Sequence, residues 1–220
     1  MKHRFDLIVF DWDGTLMDSA AKIVRCFQSA ATDLGLPALD DAPVRHIIGL
    51  GLHEAVTILL PGVDPRTRER VAERYRQHFL YLDNTHSVLF PGVEHGLQRL
   101  LDAGYRLAIA TGKARRGLDR VLRDTDISRY FCATRCADEA QSKPHPQMLR
   151  DILASSGASA DRALMVGDTT YDLEMATAAA MGSLAVSYGA HDREQLLLHT
   201  PLACVDSFAE VCRWLEPRSS

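Results

Sequence analysis

The sequence predicts an α/β protein: a doubly wound parallel sheet with an all-helical cap inserted after its first strand. Three observations predict this. Four short apolar runs, each followed by polar or Gly-containing sequence, read as strands buried on both faces. Amphipathic helical patterns alternate with them, which implies βαβ units. One stretch, from Asp18 to Leu82, breaks the alternation and carries helical patterns alone.

The first strand is Asp6 to Phe10, and the cap follows it. Ile23, Phe27, Ala30 and Leu34 mark one face of a first cap helix, stopped by Gly35 and Pro37. Further helices are expected over Val44–Ile48, His53–Leu60 and Arg66–Leu82. Asn84 to Gly92, ending in Pro91-Gly92, reads as the return linker. The predicted division is a core of residues 1–17 and 84–220 around a cap of 18–83.

Back in the core, Val93, Leu97, Leu100 and Leu101 recur at helical spacing, with Gly104 as a stop. The second strand, Arg106 to Ala110, runs into Thr111-Gly112. Leu118, Val121 and Leu122 mark a helix, as do Met148, Leu149, Ile152 and Leu153 before Gly157. The third strand, Ala163 to Val166, runs into Gly167-Asp168, and the fourth is Leu184 to Ser187. A last helix spans Phe208 to Leu215, and Glu216 to Ser220 is expected to fray.

Composition narrows the class. The 220 residues are 46% hydrophobic and 25% charged, with a net charge of −4 and scattered basic residues. That balance gives no reason to expect nucleic acid or an anionic membrane as partner. No apolar run reaches the roughly 18 residues that span a bilayer, and Leu7 to Phe10 is too short for a signal peptide. Five irregularly spaced cysteines do not form a disulfide framework and read as buried or partly buried free thiols. A cytoplasmic protein is expected, monomer or homodimer.

In an open parallel sheet, ligands bind beyond the carboxyl ends of the strands. Here those ends carry matched chemistry. Asp11-Trp12-Asp13-Gly14-Thr15 offers two carboxylates that can divide labour, one as nucleophile and one as proton carrier. Asp168 and Asp172 lie four apart on a loop entering a helix, and with Asp11 they form an acidic cluster that needs a cation. Magnesium suits oxygen ligands beside a phosphate. Thr111 offers a hydroxyl, Gly112 an open backbone N–H, and Lys143 a positive charge for phosphate oxygens. Taken singly, each has a bland reading: Thr-Gly is an ordinary turn, Gly-Asp an ordinary N-cap, and Lys143 a solvated surface charge. Their joint occurrence at separate strand ends favours one phosphohydrolase site.

These motifs resemble those of the haloacid dehalogenase-like (HAD) hydrolase superfamily. The resemblance rests on Asp11 to Ser19, Thr111-Gly112-Lys113, Ser142-Lys143-Pro144 and Gly167 to Asp172, in order, and covers essentially the whole chain. The helical insert is similar to the cap of the phosphoglycolate phosphatase-like subgroup. The resemblance implies a Rossmann-like core and an aspartyl-phosphate intermediate. By it, Asp11 is the nucleophile, Asp13 the general acid and base, and Thr111, Gly112 and Lys143 the phosphate site. Magnesium falls to Asp11, Asp13 through its carbonyl, Asp168 and Asp172.

Departures from relatives within the superfamily are informative. Asp13 is absent from dehalogenases proper and is Ala in phosphonoacetaldehyde hydrolases. Phosphosugar mutases carry a His where this chain has Ile23. Phosphoglycolate phosphatases typically place Asn where this chain has Gly112, so phosphoglycolate is one candidate among sugar phosphates and nucleotides. Gly49-Leu50-Gly51-Leu52 resembles the substrate loop of such caps, and Arg45, His46 and His53 flank it, or the segment is a plain helix–helix turn. The expected function is hydrolysis of a small phosphorylated metabolite. A phosphosugar mutase and a signalling module phosphorylated on Asp11 without turnover are the alternatives.

Overall fold

A computed structural model describes residues 4–216. The tail beyond Glu216, expected to fray, lies outside the described residues. The chain begins with β1 (Leu7–Phe10) and a two-residue strand β2 (Met17–Asp18). It then runs through α1 (Ala20–Asp33), α2 (Asp41–His46), α3 (Leu52–Leu59) and α4 (Pro65–Gln77), and closes that segment with a π-helical turn, His78–Leu82. Next come β3 (Val88–Leu89), α5 (Val93–Asp102), β4 (Arg106–Thr111), α6 (Arg115–Thr125) and β5 (Ala133–Cys136). The chain ends with α7 (Gln147–Ser156), β6 (Ala163–Gly167), α8 (Thr170–Ala178), β7 (Gly182–Val186), α9 (Arg193–Leu197), β8 (Cys204–Val205) and α10 (Phe208–Leu215).

Six strands form one parallel sheet in the order β5-β4-β1-β6-β7-β8. Renumbered along the sheet, this is the 3-2-1-4-5-6 order of the Rossmann fold. β1 is central, with Phe10 opposite Ile109 of β4 and Val166 of β6. Its alternate side chains feed two cores. Ile8 and Phe10 join α5, α6 and α10 on one face; Leu7 and Val9 join α7 and α8 on the other. Burial of each such side chain contributes about 1.5–3 kcal/mol.

Sequence reading found four of the six strands. β5 (Ala-Thr-Arg-Cys) is a half-buried edge strand with no continuous apolar run, and β8 has only two residues. α9, only five residues long, was also not expected.

The helical segment has its own core, built from Ile23, Val24, Phe27, Val44, Ile47, Ile48, Val56 and Val71. Its entry and exit are not simple linkers: β2 and β3 pair antiparallel, Met17 opposite Leu89 and Asp18 opposite Val88. α4 starts at Asp64, whose side chain accepts from the Thr67 N–H, with Pro65 in the first turn. Among the described residues, no helix is long and apolar enough to cross a membrane.

Candidate active site

The carboxyl ends of β1, β4 and β6 converge beneath the helical segment. β1 delivers Asp11, whose N–H bonds the Val166 carbonyl 2.9 Å away and so stays tied to β6. The chain then turns at Gly14, with φ +86°, and a Cβ there would stand 2.1 Å from Asp168 Oδ2. Glycine is required for both the left-handed turn and the close approach.

α8 opens with a capping box. Thr169 accepts from the Asp172 N–H, and Asp172 Oδ2 accepts from the Thr169 N–H at 3.1 Å and hydroxyl at 2.7 Å. Only Asp172 Oδ1 then remains to face the site. It lies 2.7 Å from Lys143 Nζ, which is also 2.6 Å from Asp11 Oδ1. Lys143 comes from the loop before α7 and is fully buried, unlike the solvated lysine of the bland reading. Burial works against its charge, yet Asp11 and Asp172 hold its pKa above the ordinary lysine value.

Asp168 accepts from the Thr15 hydroxyl and from the Ala190 N–H, each at 2.7 Å. Even so, its pKa is pushed up to about 7, by burial first and then by the Asp172 charge. Burial, followed by Asp172 and Asp168, also drives the Asp11 carboxyl well above its usual range, against the pull of Lys143.

Asp11, Asp168 and Asp172 present oxygens within 4.8 Å of one another, all buried. With all three ionised, the carboxylates against one ammonium leave two negative charges, the charge a single divalent cation would balance. Asp11 Oδ2 is buried without a hydrogen-bond partner. The donor set is all oxygen. These features fit magnesium.

Asp13 is held differently. Its Oδ1 accepts from the Ser19 hydroxyl at 2.5 Å and from Lys113 Nζ at 2.8 Å, and it lines the open cavity. Lys113 in turn sits 4.5 Å from the centre of the Phe79 ring. Ser19 and Lys113 lie inside the motifs but carry no role in the sequence analysis; Lys113 pairs with Asp13 across 100 residues, which leaves no local signal. Thr111 is fully buried, and its hydroxyl accepts from the Lys113 N–H at 3.2 Å.

Besides Ser19 and Phe79, the helical segment reaches this site through the loop Gly49 to Gly51. A Cβ on Gly112 would stand 2.4 Å from the Gly49 carbonyl and 2.5 Å from that of Leu50, so the bare glycine is what lets the loop sit down. The Gly51 N–H donates to Ser142 Oγ at 2.8 Å, one residue before Lys143. Gly49, Gly51 and His53 line the cavity between cap and core, His53 at an exposed position where it meets Arg76 and Glu69. Among the described residues, Arg45 is not part of that wall.

Sequence reading did not foresee His191. It is buried, its Nδ1 accepts from the Thr170 N–H at 3.1 Å, and its Nε2–H donates to the His46 carbonyl at 2.9 Å. Those partners fix the neutral form, and burial lowers its pKa.

Comparisons with known proteins give the family and the fold. The family model for haloacid dehalogenase-like hydrolases matches residues 8–186. A Dickeya dadantii protein named "Probable phosphatase IndB" is 39% identical over 210 residues, covering 93% of this chain and 91% of the relative. The phosphoglycolate phosphatase of Nitrosococcus oceani is 31% identical over 212 residues, covering 94% of each. Among solved structures, a haloacid dehalogenase-like family hydrolase of Streptococcus pneumoniae superposes with a TM-score of 0.84 at 23% identity, over 97% of this chain and 99% of the other. A hydrolase of Pseudomonas syringae reaches 0.87 at 21% identity over 100% of both chains. At those identities the superpositions establish the fold.

Proposed function

The chain belongs to the haloacid dehalogenase-like hydrolases, and we propose that it is a magnesium-dependent phosphatase that hydrolyses a small phosphate monoester through a phosphoryl group carried on Asp11. The observation that carries this reading is the buried Asp11–Lys143–Asp172 cluster beside Asp168, with two carboxylate charges in excess. Relatives bearing phosphatase names support the reaction class.

Asp11 attacks phosphorus with its free oxygen, and the bond to the leaving alkoxide breaks. Asp13 donates the proton that turns the alkoxide into an alcohol. Asp13 then takes a proton from the water that attacks the aspartyl phosphate, which releases inorganic phosphate and restores Asp11. Lys143, the Thr111 hydroxyl and the Gly112 N–H hold the non-bridging oxygens. Lys113 and Ser19 keep the Asp13 carboxylate oriented toward the cavity. Asp11, Asp168 and Asp172, with the Asp13 carbonyl, would hold magnesium, which shields the approach of carboxylate to phosphate. Residues 18–83 act as a cap that excludes water during transfer. Five free thiols, with Cys132 exposed, accord with a reducing cytoplasm.

Release of inorganic phosphate from a panel of monoesters, with magnesium or with chelator, tests this reading. Wild type is expected to release phosphate only with the metal, and Asp11→Asn to release none. Folded wild type that releases none from any ester overturns it, as does full activity in Asp11→Asn.

A further inference from the structure

The cavity above Asp13 is large and mostly apolar, and this bears on the alcohol half of the substrate. We infer that this half is a bulky group with a flat aromatic face, seated against the aromatic row of Phe27, Tyr75 and Phe79, and not a short acid. The inference rests on the phosphatase reading.

The cavity measures about 640 Å³ and opens from Asp13, Gly112 and Ser142 outward under the cap. That lies in the range of roughly 300–1,000 Å³ that encloses drug-sized ligands, several times what a two-carbon acid occupies. One wall is the aromatic row: Phe27 and Tyr75 centroids are 4.2 Å apart, and Tyr75 and Phe79 are 5.7 Å apart. Ile47 and Ile48 add further apolar wall.

Phe79 stands in the π-helical turn His78–Leu82. Such turns are frequent at functional sites. This one is fastened to α6: Arg120 donates to the Leu80 carbonyl and Arg116 to the Tyr81 hydroxyl, each at 2.7 Å.

The cations of the wall are already engaged. Lys113 pairs with Asp13. Arg76 meets His53 Nε2 at 3.0 Å and pairs with Glu73. Arg116 holds Tyr81. Lys113 and Arg76 would have to give up a carboxylate partner to meet a substrate carboxylate, and away from Arg116 such a group would lie against apolar side chains, which is costly. A neutral aromatic body needs neither; it packs against the row, where Lys113 also lies over Phe79.

The test compares phenethyl phosphate, ethyl phosphate and phosphoglycolate as substrates for wild type and for Phe79→Leu, which keeps apolar bulk but removes the flat face. Phenethyl and ethyl phosphate release alcohols of similar acidity, so a difference between them reports binding and not leaving-group chemistry. Wild type is expected to favour phenethyl phosphate by about tenfold in kcat/KM, and Phe79→Leu to lose most of that preference through KM, with a smaller loss on ethyl phosphate that reports the Lys113 contact. A wild type that favours phosphoglycolate or ethyl phosphate overturns the inference and leaves the phosphatase reading standing. So does an equal loss on all three esters in Phe79→Leu. No release from any ester overturns both.

Discussion

Lys143 is the residue whose context matters most. Its Nζ lies within 2.7 Å of two buried carboxylates and is itself fully buried. Replacing it by Met leaves carboxylates without a counter-charge, a change that costs about 3–5 kcal/mol in comparable buried pairs. Lys143→Met is therefore expected to shift the urea unfolding midpoint sharply downward and to abolish turnover; an unchanged midpoint would contradict the charge accounting. Lys113 makes a milder case. It orients Asp13 from the rim of the cavity, so Lys113→Met is expected to lower kcat about tenfold with little change in KM, as steady-state kinetics would read. Loss confined to KM would make it a binding residue. Asp11, Asp13, Asp168 and Asp172 were legible as candidates because each follows a buried strand at a ligand-binding edge. Lys113 and His191 were not, since each acts through a partner that only folding brings near.

At the scale of elements, strands buried on both faces were legible because burial demands continuous apolar sequence: Leu7 to Phe10 and Ala163 to Gly167 are fully buried. β5 escaped because an edge strand tolerates Thr134 and Arg135, and the β2–β3 ribbon because two residues leave no period to read. The loop Gly49 to Gly51 was legible as glycine-rich, but its reason was not. It packs against Gly112, where a Cβ would strike two carbonyl oxygens. Gly112→Asn is expected to push that loop off the core and lower kcat/KM about tenfold for any ester. Unaltered kinetics would show that the loop's seat does not matter to catalysis.

At the scale of the molecule, sheet order and charge act together. The Rossmann order places β1 at the switch between β4 and β6, so their polar ends share one crevice, and the helical segment lines its mouth. The cost is a concentration of buried acid. Asp168 has an ordinary value of 3.8 and is raised to about 7 in the fold, so the metal-free native state binds a proton that the unfolded chain has released. Metal-free stability therefore falls as pH rises through that window. A bound cation replaces the proton, so the rise in Tm on adding magnesium is expected to be larger at about pH 8 than at about pH 5.5. A magnesium effect that shrinks with rising pH would contradict this assignment.

The central claim is that phosphorus is transferred to Asp11. The most direct measurement is acid quenching during turnover, borohydride reduction of any acyl phosphate, and mass spectrometry of the peptide containing residues 11–13. Reduction of a phosphorylated Asp11 leaves homoserine at that position, and the account predicts it there in the presence of magnesium. Phosphate release in step with a single turnover, with Asp11 unmodified throughout, would contradict the account and place the nucleophile in water or on another residue.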